Sequence, residues 1–250
     1  MRPSPQATPF LVTLLLSMLC MVVAGCDHVR GRPGAGPEVP RPEEVVDFHT
    51  LYKENCAACH GPNGRGGAAI ELANPVYLSY AGEQNIARVV AAGVPGSLMP
   101  PFAKSSGGML TDRQVAAIAQ GVMTEWNKPA AVMDPSIPAY SSTLTGESGR
   151  GQQVFMVACA RCHGAAGEGS SRDSKDKNLH LGSIVDPTYL ALVSDQYLRG
   201  ITVAGLPDQG MPDWRGDTTR PLTDQEVTDL VSWLASKRVA NPGQPYSSRP

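Results

Sequence analysis

A five-residue pattern, Cys-x-x-Cys-His, occurs twice in this chain of 250 residues and constrains its fold more than any other feature. The first copy runs from Cys56 to His60, and the second runs from Cys159 to His163. The separation is 103 residues, the distance from Cys56 to Cys159, which is the length of one small domain. Because an internal repeat indicates a repeated structural unit, we expect two similar domains in tandem.

The spacing inside each copy suits one covalent cofactor. Two thiols one helical turn apart can add to the two vinyl groups of one porphyrin, and the histidine that follows can then bind the iron. We therefore expect two covalently attached c-type haems, one held by Cys56 and Cys59 and the other by Cys159 and Cys162. A redox-active Cys-x-x-Cys pair or half of a zinc site is the alternative, and either would leave the histidine unexplained.

The repeat continues beyond the cysteines. An Asn-Pro pair at 74–75 corresponds to an Asp-Pro pair at 186–187, now at a separation of 112 residues, and a helical segment follows each pair. Each copy then has a Met-Pro pair, beginning at Met99 and at Met211. Each copy ends in an amphipathic segment that begins with the spacing of a capping box, which supplies partners for the amides of a first helical turn.

In this order of features each copy resembles a class I cytochrome c domain. The resemblance covers residues 44–128 and 147–240. It implies an all-α fold of two tandem class I cytochrome c domains, each wrapped around one covalently attached haem. It also implies that the closing helix packs across the opening helix, and that His60 and His163 are the proximal iron ligands.

The ligand at the sixth position of each iron distinguishes an electron carrier from a catalyst. Met99 and Met211 are the predicted distal ligands, because the Met-Pro pairs match in both copies. A thioether favours reduced iron, and a closed six-coordinate site hinders the binding of small molecules. Met109 is the rival to Met99, and ligation by His49 or His180 would instead be expected to lower the potential.

The two copies differ from each other in three details. The resemblance implies a proline carbonyl that accepts from the proximal histidine, and the candidates Pro75 and Pro187 lie at unequal distances from their histidines. Gly151 allows a close helix crossing in the second copy, whereas Phe48 occupies that place in the first, so we expect a wider crossing there. The second copy has nine extra residues, including a charged run at 172–177 that is either a solvated loop or a docking surface for a redox partner.

The N-terminus has the pattern of an export signal. The apolar run over residues 10–25 is shorter than the roughly 20 residues that span a bilayer, so a cleaved signal peptide over 1–25 is predicted, with an uncleaved anchor as the alternative. The Val-Ala-Gly-Cys sequence that ends at Cys26 resembles a bacterial lipoprotein box, and Asp27 resembles an inner-membrane retention signal. The resemblance implies lipidation of Cys26 on the periplasmic side of the inner membrane; an ordinary free thiol is the alternative.

Proline-rich segments separate the remaining parts. Residues 26–43 are predicted to be an extended tether, residues 129–146 a linker between the two domains, and residues 241–250 a tail.

The charge balance limits the choice of function. With 21 basic and 23 acidic residues, the chain lacks the positive surplus of a general nucleic-acid binder.

We expect an electron carrier without catalytic residues that passes single electrons between redox protein partners, either free or as a subunit of a membrane oxidase, reductase or dehydrogenase complex. The alternative is a di-haem enzyme, such as a peroxidase, with one open iron. A haem-based sensor would need an output domain, and the sequence shows none.

Overall fold

The computed structural model describes residues 36, 38–128, 134–169, 181–216 and 220–239. Within these ranges the regular elements are helices, and only two isolated bridges, Ala103 with Leu110 and Leu206 with Met211, have the pairing of strands. The prediction of an all-α fold is therefore confirmed. None of the helices in the described ranges is long and apolar enough to cross a membrane.

The first repeat contains four α-helices and two short 3-10 turns. They are α1 (Phe48–Asn55), α2 (Ala57–His60), α3 (Pro75–Ala92) and α4 (Asp112–Trp126), with the 3-10 turns Pro42–Glu44 and Lys104–Ser106. The α3 helix bends at Gly82, whose φ of 69° is not helical and favours glycine. Thr111 caps α4 and forms the predicted capping box with Gln114.

The second repeat has the same order of elements. It contains α5 (Ser148–Ala158), α6 (Ala160–His163), α7 (Pro187–Leu192), α8 (Asp195–Ala204) and α9 (Asp224–Ala235), with the 3-10 turn Pro207–Gln209. The break between α7 and α8 lies at Ser194, which is the position that corresponds to Gly82. Ser194 caps α8 by accepting from the Tyr197 amide at 3.1 Å. One bent helix in the first repeat therefore corresponds to two helices in the second.

The opening and closing helices pack against each other in both repeats. The large residue and the small residue at the contact are exchanged between the two helices. In the second repeat, a Cβ on Gly151 of α5 would lie 2.0 Å from the Asp229 carbonyl oxygen and 2.8 Å from Trp233. In the first repeat the glycine is on the closing helix, where a Cβ on Gly121 would lie 2.1 Å from the Phe48 ring. The backbones of α5 and α9 approach each other at more positions than those of α1 and α4. A wider crossing in the first repeat stays a prediction.

Two clusters of buried apolar residues form the core. One lies between α5, α7, α8 and α9, where the Phe155 and Trp233 rings stack at 4.4 Å between centroids. The other lies between α1, α3 and α4 and continues into the second repeat through Val203 and Trp214. The two repeats therefore share a continuous apolar interior.

Candidate haem sites

The first site is built on the short helix α2. Cys56 immediately precedes the helix and is buried, Cys59 is exposed one turn later, and His60 is the buried last residue. Gly61 follows with a φ of 80°, and a Cβ there would lie 1.7 Å from the Arg65 carbonyl oxygen. The chain can therefore fold back over the histidine only with glycine at this position.

The ring orientation of His60 is fixed by the backbone. Its Nδ1 lies 2.8 Å from the carbonyl oxygen of Ile70. Since a carbonyl only accepts hydrogen bonds, Nδ1 carries the proton, and Nε2 keeps the lone pair that an iron would bind. Burial lowers the pKa of His60, which favours this neutral form. The expectation that Pro75 supplies this carbonyl is wrong, because the Ile70 carbonyl takes that place and Pro75 begins α3.

The second site has the same helical turn with a different surrounding. Cys159 immediately precedes α6 and is half-buried, Cys162 is exposed, and His163 ends the helix half-buried. Burial lowers the pKa of His163 as well, and its Nδ1 has no hydrogen-bond partner within the described ranges. Pro187, the first residue of α7, therefore does not supply the expected carbonyl either.

The thiols differ from those of a redox-active pair. Burial, with a smaller contribution from the neighbouring thiol, raises the pKa of Cys56 and of Cys159 to about 11. Neither of these two thiols therefore has the lowered pKa of a reactive thiolate. The zinc alternative finds no support either, since no group of three or more His, Cys, Asp or Glu in the described part of the chain could hold a metal ion. Free thiols one turn apart beside a neutral imidazole do fit a covalent haem.

The two predicted methionine ligands lie in loops of similar backbone form. Met99 and Met211 are both half-buried, and their carbonyls accept from the Val94 amide at 3.0 Å and the Leu206 amide at 2.9 Å. Each loop begins at a glycine of positive φ, Gly93 at 66° and Gly205 at 67°. A Cβ would lie 2.6 Å from the Pro100 carbonyl carbon in the first loop and 2.5 Å from the Pro212 carbonyl oxygen in the second. Ligation by either methionine stays a prediction.

The rival ligands lie in less suitable places, as far as the structure describes them. Met109 is 82% exposed. His49 is on the exposed side of α1, with its Nε2 3.5 Å from a Glu125 carboxylate oxygen. His180, the charged run at 172–177 and Cys26 lie outside the described residues.

Comparison with known protein families matches both repeats. The family described as cytochrome c matches residues 148–237, and the family described as cytochrome c oxidase, cbb3-type, subunit III matches residues 43–120. The chain contains two cytochrome c domains. With the two Cys-x-x-Cys-His turns, this finding confirms the prediction of two covalently attached c-type haems.

Several curated proteins are similar over part of their length. The chain is 34% identical over 130 residues to the cbb3-type cytochrome c oxidase subunit FixP of Sinorhizobium medicae, covering 48% of this chain and 39% of that protein. It is 31% identical over 198 residues to subunit FixPc of Rhizobium leguminosarum, covering 75% and 58%. It is 27% identical over 186 residues to the cytochrome bc1 complex cytochrome c subunit of Mycobacterium tuberculosis, covering 74% and 60%. The chain thus spans about half the length of the curated relatives it matches.

Proposed function

We propose that this protein is a periplasmic, membrane-tethered di-haem cytochrome that passes single electrons between redox partners of a respiratory chain, either free or as a subunit of a complex. The observation that carries the proposal is the likeness of the two methionine loops. In both domains a glycine of positive φ lets a Met-Pro turn fold back on the end of the preceding helix. Two similar loops favour two closed irons and hence a carrier.

Each protein group has a separate role in this proposal. Cys56, Cys59, Cys159 and Cys162 hold the haems covalently, and a bound haem supplies one-electron chemistry at its iron. His60 and His163 are the proximal ligands, and Met99 and Met211 are the distal ligands that exclude small molecules. The Ile70 carbonyl holds the His60 ring in one orientation and increases its basicity.

The partners and the location are inferred from the relatives and from the N-terminus. The similar proteins are, by their names, subunits of cbb3-type oxidases and of bc1 complexes, so we infer a membrane respiratory complex as the partner. A lipid on Cys26 and the tether over 26–43 would hold the two domains near such a complex on the periplasmic side. Surface charge would then steer the encounter with a partner more than it would tighten the complex.

Carbon monoxide binding by the reduced protein tests the proposal. The wild type should not bind the gas, because a methionine closes each iron. Met99→Ala and Met211→Ala should each bind carbon monoxide at one of the two haems, and Met109→Ala, as the matched control, at neither. Binding by the wild type would favour the enzyme with one open iron. A Met211→Ala protein that still excludes the gas would show that this methionine is not the ligand.

A further inference from the structure

One buried side chain joins helix ends that belong to different domains. Asn74 is 2% exposed, and its Oδ1 accepts from the amides of Val76 at 2.9 Å and Tyr77 at 3.3 Å, which caps α3. Its Nδ2 donates to the carbonyls of Ala204 at 3.0 Å and Gly205 at 3.3 Å, at the end of α8. The last carbonyls of a helix have no partner within it, so one amide supplies partners to two helix ends.

Both helix ends lead directly into a haem site. Four residues before Asn74 is Ile70, whose carbonyl orients His60. Immediately after Gly205 is Leu206, which exchanges two backbone hydrogen bonds with Met211, at 2.9 and 3.1 Å. The Asn74 amide thus connects the His60 loop (residues 61–74) of the first domain to the Met211 loop (residues 205–212) of the second.

The surroundings of this amide are tightly packed. A Cβ on Gly200 of α8 would lie 3.3 Å from Ile70 Cδ1 and 3.7 Å from the Tyr77 ring, so the two domains approach closely here. Nearby, the Arg65 guanidinium of the first domain donates to the Asp208 carboxylate of the second at 2.7 Å. Because Asn74 is buried, water cannot readily replace its hydrogen bonds.

The corresponding positions of the other repeat lack both features. Asp186 corresponds to Asn74 and caps α7 through the Thr188 and Tyr189 amides, but it is exposed and has no amide group to donate. Arg88 corresponds to Gly200 and is also exposed. A helix can therefore begin at this place without a side-chain amide. We attribute the amide of Asn74 to the contact between the domains.

We propose that Asn74 is a positioning residue, whose amide holds the His60 loop and the Met211 loop in fixed register so that the two haem sites work as one electron-transfer unit. This inference rests on the proposed carrier function. The haems that His60 and His163 would hold would supply the one-electron chemistry: one haem would be oxidised as the other is reduced, so that no further reactant would be needed. The close apolar approach around Gly200 brings the two domains together, and Asn74 fixes their register.

Two substitutions separate the cap from the contact between domains. Asn74→Ser keeps a side-chain oxygen that caps α3 but is too short to reach α8. Asn74→Asp keeps the cap and places a carboxylate oxygen against the two carbonyls in place of the donor. Asp186→Asn is the matched control, because it makes the reverse exchange at the corresponding cap.

The experiment measures hydrogen exchange at the amides of Leu206 and Met211 in the full chain with both haems attached. Both Asn74 variants should keep their haems and exchange about tenfold faster at these amides, although the substitution is in the other domain. Electron transfer between the haems after rapid reduction should slow by a similar factor, and the control should match the wild type.

Either of two results overturns the inference. The first is unchanged exchange at the Met211 loop in both variants, and the second is faster exchange with an unchanged rate of transfer between the haems. Failure of the carrier function appears separately, as carbon monoxide binding by the reduced wild type, so the two failures are distinguishable.

Discussion

At the scale of single residues, the backbone conformation of Gly205 determines the path of the Met211 loop. Its φ of 67° and ψ of −175° are accessible only to glycine, and the Pro212 and Met211 carbonyls leave no space for a Cβ. The preceding helix ends here, and its last carbonyls accept from the Asn74 amide. One residue thus combines a helix end, a close backbone approach and a contact between domains.

Gly205→Ala is predicted to destabilise the protein by about 2–4 kcal/mol, since both backbone strain and overlap with the Pro212 backbone oppose it. Denaturant unfolding measures this change, and the sulfur-to-iron charge-transfer band should weaken at one haem. Gly210→Ala is the control, because Gly210 also has a positive φ, 81°, but has open space around it. An equal loss of stability in both variants would contradict the importance of the close approach.

The sequence reveals the covalent haem residues but not what orients them. Cys56, Cys59 and His60 are recognisable because the attachment chemistry demands these residue types at this spacing. Any residue can offer a backbone carbonyl, so the role of Ile70 leaves no signal in the sequence, and the expected proline carbonyl is not the partner of His60.

At the scale of elements, the closing helix of each domain begins at a capping box, and the second box is charged. Thr223 and Glu226 hydrogen-bond to each other's backbone amides at the start of α9, and Arg220 donates to the Glu226 carboxylate at 2.6 and 2.8 Å. These contacts lower the pKa of Glu226 from 4.5 to about 2, and the hydrogen bond from Arg220 contributes most. In the first domain Gln114 takes the same place without charge.

Glu226 gives the fold a dependence on acid pH. Since its pKa is lower in the folded state, its stabilisation is complete above about pH 4.5 and is lost as the pH falls toward 2. Glu226→Gln keeps the cap but loses the charge, and it should cost about 1 kcal/mol at pH 7, because the exposure of Arg220 to solvent weakens the pair. At pH 3 the cost should fall to less than half. Denaturant unfolding at the two pH values checks this, and a cost independent of pH would contradict the role of the charge.

Helix crossing shows how far the repeat itself can predict packing. Gly151 is recognisable as the small residue of a close crossing, but Gly121 is not, because its partner Phe48 is identified only once the register of α1 against α4 is known. Because the large and small residues are exchanged, the contact between the opening and closing helices is filled in both domains. Equivalent positions in a repeat therefore predict shared elements better than shared contacts.

At the scale of the whole molecule, the two domains are more closely joined than a repeat with a linker implies. The described part of the predicted linker, residues 134–146, has no helix. It nevertheless forms hydrogen bonds with helices of both domains. The Tyr140 carbonyl accepts from Tyr80 of α3 at 3.0 Å and from Gln196 of α8 at 2.9 Å. Such contacts depend on how two finished surfaces meet, so hydrophobic periodicity within one domain cannot predict them.

Attachment to the membrane is predicted to depend on Cys26. Cys26→Ala removes the only thiol that a lipoprotein signal at this place could modify, so the protein should move from the membrane fraction to the soluble periplasmic fraction with both haems attached. Fractionation followed by haem staining measures this. Continued membrane association would indicate an uncleaved N-terminal anchor or a tightly bound complex.

The proposed function requires both haems to be closed by methionine and to serve electron transfer. An optical redox titration of the purified full chain, followed at the sulfur-to-iron charge-transfer band with carbon monoxide added to the reduced protein, tests it most directly. We expect two high-potential haems that both show the band and exclude the gas. One haem that lacks the band and binds carbon monoxide would contradict it.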